Sequence, residues 1–171
     1  MAVREVIRMG HPTLRLKAAP VSKEEILSEG FKALVQDMFD TMDEQDGIGI
    51  AAPQINVSKQ VAIVGLPNDE DDFDVMVVIN PKLTVTNEEL SGNFEGCLSV
   101  PNMTGFVERP SGVKVEYVDL EGNDQVIELD GFGAIVMQHE LDHLIGKLYV
   151  DHIKDITTLT FNDAYTEEDE E

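Results

Sequence analysis

The segment His139-Glu140-Leu141-Asp142-His143 is where this chain can do chemistry. On a helix, residues four apart share a face, so both imidazoles can reach one metal ion. Glu140 is turned about 100° from His139. It can lie beside the metal as a base for water without being a ligand. Paired histidines are costly among apolar neighbours unless something satisfies them, and this pair lies among Phe132, Ile135, Val136, Met137, Leu141, Leu144 and Ile145. A catalytic centre of this kind needs a third ligand and one open position. His11, His152 and Cys97 are the candidates. The protease pattern H-E-x-x-H-x-x-G-x-x-H is matched through Gly146, but Tyr149 stands where its last histidine would supply the third ligand. His152 misses that register, and it and His11 read as ordinary surface histidines. Cys97 is the only cysteine, and a lone cysteine is usually a small buried hydrophobe. Its setting, Glu95-Gly96-Cys97-Leu98-Ser99, suits a strand end where the backbone comes close to a ligand.

A third patch, Gly47-Ile48-Gly49-Ile50-Ala51-Ala52-Pro53-Gln54, has little side-chain bulk, so other groups can approach its backbone. It is not a dinucleotide loop: Ala52 stands where the third glycine belongs, and no strand is expected before it. A simple loop explains it equally well. Gln54 at its end could donate a hydrogen bond to a substrate oxygen.

In this order and at these spacings, Gly47 to Gln54, Glu95 to Ser99 and Gln138-His139-Glu140-Leu141-Asp142-His143 resemble the three signature motifs of the peptide deformylases. Arg4, Gly10-His11-Pro12 and Leu14-Arg15 in the N-terminal arm, the long first helix and the strand-rich centre are similar to that family too. The resemblance implies removal of the formyl group from the N-terminal formyl-methionine of new polypeptides. It implies one Fe²⁺ per chain, with Zn²⁺ or Ni²⁺ as substitutes, held by Cys97, His139 and His143. Glu140 is then the base that takes a proton from water and returns it to the departing amine. The Gln54 side-chain amide and the Leu98 backbone N–H are expected to face the oxygen on which charge develops. Ile135 and Val136, four and three residues before His139, flank the metal face. With Ile48 and Phe132 they could wall a methionine pocket, although core packing would give the same pattern. Gly49, Glu95 and Gly96 complete the residues expected at the substrate. Asp142 either orients a ligand or pairs with a neighbour. Two features depart from the family. Thr104 stands where many members carry a basic residue, with Arg109 further on. The chain ends Glu167-Glu168-Asp169-Glu170-Glu171, so no basic tail is expected on the ribosome, near which the substrates emerge. The competing readings are a zinc endopeptidase with a third His or Glu ligand, which the Tyr149 register opposes, and a catalytically inert peptide-binding module, which the intact Glu140 opposes.

These residues need elements to hold them. Residues 1–21 read as an irregular arm broken by Gly10, Pro12 and Pro20. Ser22 and Glu25 form a capping box for one long amphipathic helix. Its stripe is Ile26, Leu27, Phe31, Leu34, Val35, Met38, Phe39 and Met42, and it ends at Asp46-Gly47. Strands are expected over 60–66, 73–79, 82–86, 113–120 and 125–129, the last two joined as a hairpin. A second helix, about 132–145, is apolar on most sides and therefore buried. The expected fold is one α+β domain over 1–171, mostly antiparallel strands around that buried metal-binding helix.

Composition sets the limits. A chain of 171 residues with 42% apolar residues and seven Phe can fill one core. A single Cys excludes an intramolecular disulfide framework and fits a reducing compartment. With no apolar run near the roughly 20 residues of a membrane helix and no apolar leader in the first residues, a cytoplasmic location is expected. The balance of 12 Lys+Arg against 34 Asp+Glu gives −22, which argues against nucleic-acid binding. The acids concentrate at 67–74 and 163–171, read as a solvated loop and an acidic tail. Oligomeric state is not legible.

Overall fold

The structure, a computed structural model, describes residues 2–68 and 73–164. The densest acids of both charged segments, at 69–72 and 165–171, lie outside the described residues.

The first helix is two helices. α1 spans Lys23–Ile26 and α2 spans Glu29–Glu44. Ser22 Oγ accepts from the Glu25 N–H at 3.2 Å, and Ser28 Oγ accepts from the Phe31 N–H at 3.2 Å while donating to the Glu25 carbonyl at 2.6 Å. The break falls at Ser28 because its hydroxyl offers the chain a second N-cap inside an otherwise continuous apolar stripe. The Glu25 carboxylate is bonded to Lys59 Nζ.

Among the described residues six strands form one antiparallel sheet: β1 (Gly49–Ala51), β2 (Val61–Pro67), β3 (Phe73–Cys97), β4 (Val100–Val118), β5 (Asp124–Asp130) and β6 (Thr160–Phe161). The order is β1-β2-β3-β4-β5, with β6 on β4. β3 and β4 are far longer than their sequences suggest. β3 joins the two strands expected at 73–79 and 82–86 and continues to Cys97. β4 begins thirteen residues before the expected Val113. Register shifts between Ile79/Lys82, Val85/Asn87 and Asn87/Leu90 interrupt the two-residue period there. Pro101 and Pro110 within β4 also look like strand breakers.

β2 lies between two helices. Ala62 and Val64 belong to the core shared with Ala134, Val136, Met137 and Leu141 of α3 (Gly131–His143), while Val61 and Ile63 join Phe31, Val35 and Met38 of α2. Burial of both faces explains the unbroken apolar run Val61-Ala62-Ile63-Val64, since neither face needs polar residues. α3 is buried along most of its length, including Gln138, Glu140 and His143. It stops where Gly146 adopts φ 78°. A side chain there would also meet the Arg15 backbone at 2.7 Å, so only glycine fits. No helix among the described residues is long and apolar enough to cross a membrane.

Candidate metal centre

Three elements converge. The Gly47–Gln54 patch is not a simple loop: β1 pairs with β2 (Gly49 with Val64, Ala51 with Ala62), and a 3₁₀ turn over Ala52–Ile55 follows. That turn brings the Gln54 side chain back, so Oε1 accepts from the Ala51 N–H at 2.8 Å. The amide orientation is thereby fixed, and Nε2 lies 3.5 Å from Cys97 Sγ. Cys97 ends β3 directly before a two-residue turn, Leu98-Ser99, and pairs with Val100. α3 supplies His139, Glu140 and His143.

Cys97 Sγ and one ring nitrogen from each of His139 and His143 all lie within 4.8 Å of one another. Cys97 Sγ is 3.5 Å from His143 Nε2. His139 Nδ1 is 2.8 Å from Glu95 Oε2. A carboxylate only accepts, so Nδ1 carries a proton, and the neutral ring keeps its lone pair on Nε2 for a metal ion. Among the three sequence candidates for a third ligand, only Cys97 joins the cluster. His11 Nδ1 accepts from the Thr13 N–H at the 3₁₀ turn over Pro12–Arg15. His152 is no ordinary surface histidine, for it is bonded to Asp142. Tyr149, at the protease-histidine position, stacks on the His139 ring at 6.3 Å and donates its hydroxyl to the Met103 carbonyl.

The donor set fits a transition-metal ion. One thiolate and two imidazoles suit Zn²⁺ or Fe²⁺, and the surroundings call for positive charge. Burial alone would depress His139, but hydrogen bonding to Cys97 and Glu95, with the charge of Glu140, raises it to about 10. His143 is pushed well below its ordinary value, by burial first and then by the charge of His139. Beside them Glu140 is 4% exposed, and its Oε2 has no partner. Burial, partly offset by the charge of His139, raises its carboxyl to about 7. Space for it is made by Gly49, where a Cβ would sit 2.5 Å from Glu140 Oε1.

Glu95, expected at the substrate, uses both oxygens elsewhere. Besides His139 it takes a two-pronged ion pair from Arg109, Nε to Oε1 at 2.6 Å and Nη2 to Oε2 at 3.0 Å. Burial would raise its carboxyl, but these bonds outweigh that and hold it below the ordinary range. Arg109, buried beside the cluster, is the contact that sequence reasoning missed. The available signal was strand alternation: Val107 and Arg109 share a face of β4, and both are buried. Asp142 takes the neighbour-pairing alternative, bonding Arg109 and His152 rather than a ligand.

A cavity of about 450 Å³ opens onto this cluster. It is lined by Ile48, Gly49, Gln54, Glu95, Gly96, Cys97, Leu98, Phe132, Ile135, Val136, His139 and Glu140. Ile135 and Val136 are each 5% exposed and form its inner wall, whereas Ile48 and Phe132 are exposed at its mouth. His143 lies behind, almost fully buried. Met103 and Asn162, not anticipated, also line it. Thr104 sits within the sheet, paired with Gly96 and Thr160.

Residues 3–158 match the family model described as polypeptide deformylase. A peptide deformylase of Leptospira biflexa is 42% identical over 171 residues, covering 95% of this chain and 94% of that protein. One from Cellvibrio japonicus is 44% identical over 153 residues, covering 90% and 88%. The Met-Ala-Ser-bound crystal structure of a class I type b peptide deformylase from Acinetobacter baumannii superposes with a TM-score of 0.83 at 41% identity, covering 89% of this chain and 99% of that one.

Proposed function

The chain belongs to the polypeptide deformylase family, and from that premise we propose how its own residues divide the work. The enzyme removes the N-terminal formyl group from the formyl-methionine of newly made polypeptides and releases formate. A cytoplasmic place of action fits such a substrate.

Cys97, His139 and His143 hold one metal ion per chain, Fe²⁺ in our reading, with Zn²⁺ or Ni²⁺ able to replace it. When bound, the ion acts as a Lewis acid on the reacting carbonyl and lowers the pKa of water. Glu140 takes the proton of the attacking water as the new C–O bond forms at the formyl carbon. It returns that proton to the amine nitrogen as the C–N bond breaks, so the products are formate and a free N-terminus. A base near pH 7 suits both transfers, and burial pushes the Glu140 carboxyl upward, toward that range. Gln54 donates from Nε2 to the developing oxyanion, and the Leu98 backbone N–H is the second donor. The amide cannot flip without losing its bond from Ala51. Glu95 fixes the proton of His139 on Nδ1 and touches the substrate only as cavity wall. Ile135 and Val136 receive the methionine side chain, with Ile48 and Phe132 at the entrance and Gly49 and Gly96 leaving the substrate backbone room.

The single observation that carries this reading is the triad of donor atoms within 4.8 Å of one another beside a buried, unpartnered carboxylate. The test is formate release from formyl-Met-Ala-Ser by anaerobically purified protein, with metal analysis of wild type, Cys97→Ala and Glu140→Ala. Cys97→Ala should lose metal. Glu140→Ala should keep it and slow by about 10²–10⁴-fold. Normal metal in the first variant, or normal turnover in the second, refutes the assignment.

A further inference from the structure

We propose that His152 is a positioning residue for this reaction: it steadies the metal ligand His139 from a different face of α3, through Asp142, Arg109 and Glu95. The inference rests on reading His139 as a ligand.

The five side chains form a line. His152 Nε2 is 2.8 Å from Asp142 Oδ2, and the same oxygen is 2.8 Å from Arg109 Nη1. Arg109 then forks onto Glu95, and Glu95 Oε2 meets His139 Nδ1 at 2.8 Å. The guanidinium is 4% exposed, Glu95 6% and Asp142 14%, whereas His152 at 28% reaches solvent. A buried guanidinium needs carboxylate partners, and here it has two. Two carboxylates on one cation leave an excess negative charge, and each must find another donor. The arrangement is symmetric about Arg109: Glu95 takes a proton donor from His139, and Asp142 takes one from His152. Carboxylates only accept, so both imidazoles donate. Without His152, Asp142 depends on Arg109 alone and competes with Glu95 for it. The fork on Glu95 then loosens, and with it the orientation of the His139 ring.

The two ends of this line face different spaces. Arg109, Asp142 and His152 line a second cavity of about 260 Å³, and none of its lining residues borders the substrate cavity. His152 therefore does not reach the substrate cavity, and the hydrogen-bonded line is its side-chain route to His139; a background in which that line is cut separates this route from one through Tyr149, which shares the 3₁₀ turn of His152 and stacks on the His139 ring.

The experiment compares His152→Leu with His152→Gln, whose amide can still donate to Asp142. Ni²⁺-loaded proteins are mixed with excess chelator and the release of Ni²⁺ is timed. Partners one step from a metal ligand are worth about 10–100-fold in affinity or activity. His152 stands further out, so His152→Leu should release Ni²⁺ about 3–10-fold faster. Its kcat should fall by a similar factor, with KM for formyl-Met-Ala-Ser unchanged. His152→Gln should stay within about twofold of wild type, as rescue by a retained donor requires. In a Glu95→Ala background, which removes both carboxylate oxygens and so cuts the line, His152→Leu should add nothing. Wild-type release from His152→Leu overturns the proposal, as does an equal effect in the cut background, which a merely structural role would produce. If wild-type protein binds no Ni²⁺, the metal centre itself falls; if it binds Ni²⁺ and the variants match it, only this inference does.

Discussion

Replacing Gly49 by alanine adds one methyl group and asks whether Glu140 is the base. A Cβ at this position would lie 2.5 Å from Glu140 Oε1, 2.7 Å from Cδ and 2.9 Å from Cγ. Ordinary contact begins at 3.4 Å, so the carboxylate must retreat by 3.4 − 2.5 = 0.9 Å. The main chain has no reason to move: Gly49 is not among the glycines with positive φ, and its strand pairing with Val64 tolerates any side chain. What yields is the end of a flexible glutamate. A misplacement of about 1 Å in a catalytic group costs about 10²-fold. Gly49→Ala should therefore lower kcat by about 10²-fold while leaving metal content and the urea midpoint close to wild type.

The assay is formate release from formyl-Met-Ala-Ser over a range of concentrations, because Gly49 also lines the substrate cavity. If the methyl group only obstructs the peptide, KM rises and kcat holds, and the displacement argument is refuted. A second arm uses the Glu140→Ala background, where there is no carboxylate to displace. Gly49→Ala should then cost nothing more. A further large loss there would mean that the glycine serves some other part of the site.

Gln54→Leu removes the proposed oxyanion donor and should cut kcat by about 10²–10³-fold; since it also strips the Ala51 N–H of its acceptor, the unfolding free energy from urea curves should fall by about 1–3 kcal/mol, and a variant of normal activity would remove Gln54 from the chemistry. A pH prediction concerns the metal-free protein in chelator. Glu140 is raised from its ordinary 4.5 to about 7, so its contribution to stability is fully present below 4.5 and is lost as pH rises through 7. Between pH 4 and pH 8 wild type should accordingly lose about 3 kcal/mol relative to Glu140→Gln, in which the other titrating groups are the same; a stability difference between the two proteins that does not change across this range would contradict the burial of an ionisable Glu140.

The parts of the site that were legible from sequence are those fixed by local spacing. His139 and His143 are four apart on one helix, and helix geometry alone brings the rings to 5.2 Å. The helix was legible as buried because its apolar residues run round most of its circumference. Cys97 was narrower: spacing left it as one candidate of three, and only the resemblance selected it. What stayed hidden depended on partners distant in sequence. β1 has three residues, too few to show a period, and exists because β2 pairs with it. Ser28 is one polar residue beside an apolar stripe, and its capping role depends on the chain turning at Leu27. Arg109 lies fourteen residues from Glu95 and thirty-three from Asp142, so no local pattern could announce that a cation is buried behind the proposed ligands.

Glu95 and Glu140 show why residue type alone could not assign these roles. Both are glutamates, both are buried, and both lie within reach of His139. Desolvation pushes each carboxyl up. For Glu95, hydrogen bonds from His139 and Arg109 outweigh it, so the group stays an anion and can only hold its neighbours in place. For Glu140 no hydrogen bond offsets it: Oε2 has no partner, and the charge of His139 is only a partial counterweight. The carboxyl rises to about 7, where it can accept a proton and release it again at little cost. Two like groups whose surroundings drive their pKa values apart mark a division of labour. Giving Glu140 a strong donor, as an arginine beside it would, should therefore make a more stable protein and a slower enzyme. The missing hydrogen bond is the feature that leaves this carboxylate available for the proton transfer proposed for it.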